Sequence, residues 1–84
     1  METINFNQLH KHSKNNKTEL LKSNVCGCFY CGKIFNPNEI ESWIKDKQDQ
    51  TALCPHCQID SVIGDASGFE ITESLLNTMH KKWF

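Results

Sequence analysis

The chain contains five cysteines, and four of them fall into two Cys-x-x-Cys pairs, Cys28-Phe29-Tyr30-Cys31 and Cys54-Pro55-His56-Cys57. A Cys-x-x-Cys turn aims two thiolates at one point while backbone N–H groups donate toward the sulfurs. Two such turns complete the tetrahedral shell of a structural metal ion. Residues 32–53 separate the pairs, a gap close to the roughly 15–20 residues usual between paired zinc knuckles and wide enough to hold extra secondary structure. Gly32 follows the first pair, where the chain must bend around the site. Cys28, Cys31, Cys54 and Cys57 are the expected metal ligands. Cys26 is left over, because a Cys-x-Cys spacing does not suit a knuckle. It reads as a small buried apolar side chain beside the site, with an exchangeable or redox-sensing thiol as the competing reading. His56, in the middle of the second pair, is expected to face solvent and not to ligate.

Zinc is the expected metal. Iron is the alternative, since rubredoxin-like proteins also combine C-x-x-C-G with C-P-x-C, and "CFYCG" and "CPHC" are similar to that arrangement. Here Gln58 follows the second pair, where that family usually has glycine. Thiol–disulfide exchange would need a thioredoxin-like βαβ setting for a single pair, and two pairs favour shared ligation.

A second cluster lies in "IDSVIGDASG", residues 59–68, where Asp60, Ser61, Asp65, Ser67 and Gly68 come close together. As plain structure, Asp60 caps a short helix and Asp65-Ala66-Ser67-Gly68 is a turn. As a ligand loop, backbone N–H groups of the Gly/Ser segment hold a small molecule, and Asp60 and Asp65 orient it or a divalent ion. The sequence has neither a Walker A nor a G-x-G-x-x-G pattern, so nothing in it specifies a phosphate.

These residues need a scaffold, and 84 residues provide one small domain. Domains of this size bury a modest fraction of their surface, and many use a metal, disulfides or a partner as a staple. The opening "METINFNQLHKHSKNNK" lacks the apolar core of a secretory signal, and no run approaches the roughly 20 apolar residues that span a bilayer. The expectation is a cytoplasmic protein with reduced thiols and no membrane segment. All nine basic residues are lysine. Lys11, Lys14, Lys17 and Lys22 make the front mildly basic, and the remainder is acidic. Arginine is the commonest bidentate reader of guanine, so its absence argues against sequence-specific DNA recognition. Weak, lysine-mediated nucleic-acid contact through those four residues remains open, and a protein partner is favoured.

The expected architecture is small α+β: a β-hairpin carrying the first cysteine pair, with two or three short helices. Residues 1–16 read as a flexible polar arm, with Ile4, Phe6 and Leu9 as scattered apolar points, and 17–84 as one metal-stapled domain. "KTELLKSN" (17–24) predicts a short helix capped by Thr18, with Leu20 and Leu21 inward. "CGCFYCGKIF" (26–35) predicts strand–turn–strand. "NPNEIESWIKD" (36–46) has the signals of a helix start: Asn36 as cap, Pro37 at the first position and Glu39 three after the cap. Ile40, Trp43 and Ile44 would share one face of that helix. "DKQDQ" (46–50) reads as a charged loop, "TALC" (51–54) as a strand, and "QIDSVI" as a helical turn. "ITESLLNTMHKKWF" (71–84) predicts a terminal helix capped by Thr72. Its apolar stripe of Leu75, Leu76, Met79 and Trp83 is expected to pack on Ile40, Trp43 and Ile44.

"CGCFYC", "ALCP-C-IDSVIGD-SG" and the terminal "L--M---WF" resemble a family of small bacterial and phage-like cytoplasmic proteins, over residues from about Lys22 to Phe84. The resemblance implies a two-pair zinc-ribbon or treble-clef-like site and no particular activity. The pair spacing is also similar to four-cysteine HNH nucleases, but residues 32–53 hold no histidine to serve as general base or metal ligand. The expected function is a non-enzymatic binding or adaptor module. An HNH-like or Asp60/Asp65-dependent nuclease or hydrolase is one alternative, and a thiol- or metal-responsive regulator using Cys26 is the other.

Overall fold

The computed structural model describes residues 5–45 and 49–84. Ile4 and most of the predicted 46–50 loop lie outside them. The elements run α1 (Phe6–Lys11), α2 (Lys17–Leu21), β1 (Cys26–Cys28), β2 (Ile34–Phe35), a 3-10 turn (Pro37–Glu39), β3 (Trp43–Lys45), β4 (Gln50–Ala52), β5 (Val62–Gly64), a second 3-10 turn (Asp65–Ser67) and α3 (Glu73–Trp83). The chain is thus small α+β with antiparallel strands. Among the described residues, no helix is long and apolar enough to cross a membrane.

A three-stranded sheet, ordered β2-β1-β5, forms the centre. Successive residues of a strand face opposite sides, and that alternation divides the core in two. Cys26, Cys28, Val62 and Phe35 pack with Leu20 of α2, Ile40, Ala52 and Cys54, with Trp43 at the margin. Ile63 packs on the other side with Phe29, Ile71, Leu75, Leu76, Met79 and Leu9. Gly27 lies in this second face because α3 comes so close. A Cβ there would sit 2.7 Å from Leu76 Cδ1 and 2.8 Å from Ile71 Cγ2.

The predicted α3 forms as expected, with Thr72 Oγ1 accepting from the Leu75 N–H at 3.1 Å. Its packing differs from the expectation: Leu75, Leu76 and Met79 cover Phe29 and Ile63, while Ile40 and Trp43 belong to the opposite face. The predicted 36–46 helix is replaced by one 3-10 turn and a strand. The start signal does act locally, since the Asn36 N–H donates to Glu39 Oε2 at 2.8 Å. The β-branched and aromatic residues Ile40, Trp43 and Ile44 then favour extended backbone. Trp43 and Ile44 gain a partner in β4 through the pairs Trp43↔Ala52 and Ile44↔Thr51, which leaves Ile44 exposed. The predicted helical turn in 58–63 is likewise overridden, because Val62 and Ile63 pair with Cys28 and Gly27 of β1. In α2, Asn16 and not Thr18 stands at the cap position, and Leu21 is exposed while Leu20 is buried.

Residues 5–16, expected as part of a loose polar arm, carry α1. Its Asn5 Oδ1 caps the Gln8 N–H at 3.0 Å, and Leu9 is buried. His10 stacks on Trp83 with ring centroids 4.3 Å apart, and burial followed by the nearby Lys14 charge holds its pKa below the usual histidine value. The corner between α1 and α2 is fastened by Asn16, which is buried. Its Nδ2 donates to His12 O and to Val62 O, both at 2.9 Å, and its Oδ1 accepts from the Ala52 N–H at 3.1 Å. One amide therefore bridges β5 and β4, satisfying an edge group of each sheet. Asn16→Ala strands those buried groups, and the expected loss of folding stability is about 2–4 kcal/mol in chemical denaturation. A loss below ~0.5 kcal/mol would show that water replaces the amide at no cost.

Candidate metal centre

The two Cys-x-x-Cys turns adopt one backbone pattern. In the first, the Gly32 N–H donates to Cys28 O at 2.8 Å and the Cys28 N–H to Lys33 O at 3.0 Å. In the second, the Gln58 N–H donates to Cys54 O at 2.9 Å and the Cys54 N–H to Ile59 O at 3.0 Å. The Tyr30 N–H points at Cys28 Sγ and the His56 N–H at Cys54 Sγ, each at 3.4 Å. Both knuckles also turn through the left-handed region just after their second cysteine, at Gly32 (φ 78°) and Gln58 (φ 65°). Glycine adopts this conformation freely, whereas a side chain pays roughly 1–2 kcal/mol. The match at Gln58 has no residue-type signal in the sequence, since the knuckle's hydrogen bonds impose the conformation on it.

β1 and β5 bring the two turns together. Phe29, just beyond β1, donates its N–H to Ser61 O at 3.0 Å, which continues the β1–β5 pairing to the mouth of both knuckles. Cys28, Cys31, Cys54 and Cys57 then offer sulfurs that all lie within 4.8 Å of one another. Cys28 Sγ is 3.6 Å from Cys57 Sγ, and Cys31 Sγ is 3.6 Å from Cys54 Sγ. A tetrahedron with metal–sulfur bonds of about 2.3 Å has edges near 3.8 Å, so these spacings fit a four-thiolate ion. Cys28 and Cys54 are buried, and Cys31 is at the surface.

The thiols do not share one environment. Burial alone would raise the Cys28 pKa, but hydrogen bonds from Ser61 Oγ (3.1 Å) and from the Cys31 and Tyr30 N–H groups outweigh it and bring it below the ordinary thiol value. Burial dominates at Cys54 and Cys57, and holds both pKa values up. A bound cation reverses that preference by stabilising every thiolate.

Cys26 points to the α2 side of the sheet, outside the four-sulfur group, and is buried. Burial, then the Asp65 carboxylate, pushes its pKa up to about 12. His56 is exposed, as expected for a knuckle's outer position. The residues of the 59–68 segment do not converge. Ser61 turns to Cys28. Asp65 Oδ1 accepts from the Asn24 N–H at 2.8 Å, and Ser67 Oγ donates to Gly64 O at 2.6 Å. Gly68 closes the 3-10 turn with φ 96°, and Asp60 is exposed. Lys11, Lys14 and Lys22 are exposed, while Lys17 places Nζ 5.3 Å above the Trp43 ring. Sequence reasoning had placed Ser61 in a separate ligand loop. Its position four residues after Cys57 was the signal that it could instead return to the cysteines.

No protein-family model, no curated protein and no solved structure matches this chain. Of the expected resemblance, the convergence of the four cysteines is the part that the structure bears out.

Two expectations follow. Cys28→Ser or Cys54→Ser abolishes stoichiometric metal binding and cooperative unfolding, while Cys26→Ser retains both; metal release by Cys26→Ser would refute the ligand assignment. Gln58→Gly relieves the left-handed strain at the expense of unfolded-state entropy, for a net gain of up to about 1 kcal/mol. Gln58→Val lowers stability. Denaturant midpoints of the metal-loaded proteins read both.

Proposed function

We propose that this chain is a zinc-stapled, non-catalytic binding module of zinc-ribbon or treble-clef-like character that operates in the reducing cytoplasm through a protein partner. The observation that carries the reading is the pair of matched knuckles presenting four sulfurs within 4.8 Å of one another. A four-thiolate zinc site is structural. Its shell is complete, so it has no open position where water could be activated. Thiolate-only ligation also suits iron. Gln58 stands where rubredoxin-like pairs usually have glycine and makes the left-handed turn that Gly32 makes in the first knuckle, so elemental analysis and visible absorption distinguish the two metals.

The other polar groups favour a binding role. His12 faces Glu19 at 2.9 Å, His10 stacks on Trp83, and Asp65 holds backbone N–H groups of the segment before β1. Each has a structural task, and the HNH-like alternative lacks its histidines in residues 32–53. A regulator built on Cys26 is disfavoured by that thiol's burial and raised pKa, which keep it protonated and out of reach of oxidants. Lys11, Lys14, Lys17 and Lys22 offer few phosphate contacts, so any nucleic-acid affinity is weak, indifferent to sequence and steeply reduced by salt.

The test combines composition with activity. Protein purified without added metal should contain one zinc per chain and no visible iron absorption. It should leave plasmid, single-stranded DNA and RNA intact in Mg²⁺ and in Mn²⁺. Metal-dependent cleavage that disappears in Asp60→Ala or Asp65→Ala would establish the hydrolase alternative in place of the binding module.

A further inference from the structure

Beside the first knuckle, the structure has a cavity of about 200 Å³ that no step of the metal reading uses. One wall is the knuckle tip, Tyr30 to Gly32. The other is the face of α3 that carries Glu73, Asn77 and His80, at successive helical turns, with Leu76 beneath. The volume falls below the roughly 300–1,000 Å³ of sites that enclose a whole small molecule, and suits one long side chain.

The lining is acceptor-rich. Glu73 supplies a carboxylate, and among the described residues no lysine lines the cavity. His80 Nδ1 lies 3.2 Å from Phe29 O. A carbonyl only accepts, so Nδ1 carries the proton, and in the neutral ring Nε2 keeps a lone pair. Asn77 adds an amide oxygen. Tyr30 brings a half-exposed ring, and Phe84 extends the aromatic wall, 4.8 Å edge-on to Tyr30 and 5.6 Å from His80. Cys31, a lining residue, belongs to the metal centre. On the zinc reading, four thiolates around one Zn²⁺ would leave two net negative charges there. Carboxylate, ring faces and an anionic centre around a slot of this size complement an organic cation on an alkyl stem.

We propose that this cavity receives the basic side chain, arginine or lysine, of a partner protein. The guanidinium or ammonium group donates to Glu73 and Asn77, and its stem lies along Leu76 and Tyr30. The inference rests on the zinc-stapled binding-module reading and gives that module's partner a chemical feature: an exposed basic residue.

The test uses the full metal-loaded chain and ¹⁵N NMR. It is titrated with blocked Gly-Gly-Arg-Gly-Gly, with the lysine equivalent, and with the citrulline equivalent, which keeps the shape of arginine without its charge. Binding by either basic peptide should shift the Gly32 backbone and Asn77 side-chain signals. It should weaken at least about tenfold with citrulline and in Glu73→Gln, as loss of a charge-assisted hydrogen bond requires. Glu41→Gln removes one negative charge elsewhere on the surface and should leave binding unchanged. Equal binding of citrulline, an unaffected Glu73→Gln, an equal loss in Glu41→Gln, or no shift at these signals at about 10 mM peptide would each overturn the proposal. Zinc is measured by mass spectrometry on the same samples. Full zinc content without peptide binding counts against the cavity alone, whereas peptide binding by protein that holds no zinc counts against the metal reading alone.

Discussion

The fold depends on bringing two separate turns to one point. Cys28 and Cys31 sit at the end of β1, and Cys54 and Cys57 lie between β4 and β5. The β1–β5 pairing carries the second turn back to the first, and Ser61 meets Cys28 at that junction. Unliganded thiolates crowded into this space would repel one another, and buried thiols there would have weak partners. A divalent cation would convert the same crowding into a strong local attraction, and on the zinc-stapled reading proposed above the energy of metal binding would be largely the energy of folding.

The rest of the molecule is arranged around that junction. The central sheet is short, with strands of two or three residues, and gains little from its own hydrogen bonds. Its two faces are covered by different parts of the chain, α2 with the β3–β4 hairpin on one side and α1 with α3 on the other. Gly27 lets α3 approach closely, and Asn16 joins β5 to β4. α3 performs two tasks. Its apolar stripe closes the second core, and its polar face, Glu73 to His80, forms a wall beside the four-cysteine cluster.

Much of the site was legible because knuckle chemistry is local: the two cysteine pairs that converge, the turn at Gly32 and the Thr72 cap are all written in residues near one another. The elements that were misread depend on distant partners. Ile40, Trp43 and Ile44 have helical spacing and follow a sound helix cap, yet the gain from pairing with Gln50–Ala52 decides for a strand. Val62 and Ile63 look ambiguous until β1 is placed beside them. α1 has only Leu9 fully buried, and its position comes from contacts such as His10 on Trp83 that no periodicity announces. The left-handed Gln58 is legible only once the second knuckle is seen to repeat the first.

The central claim is that the four thiolates and their ion hold these parts together. Stepwise removal of metal from the native protein by a strong zinc chelator under reducing conditions, followed by ¹H–¹⁵N NMR, tests it most directly. The account predicts that one equivalent of zinc leaves, and that the dispersed signals of Gly27, Ile63 and Leu76 collapse together with those of the knuckles. Retention of the dispersed core spectrum after complete zinc removal would contradict it.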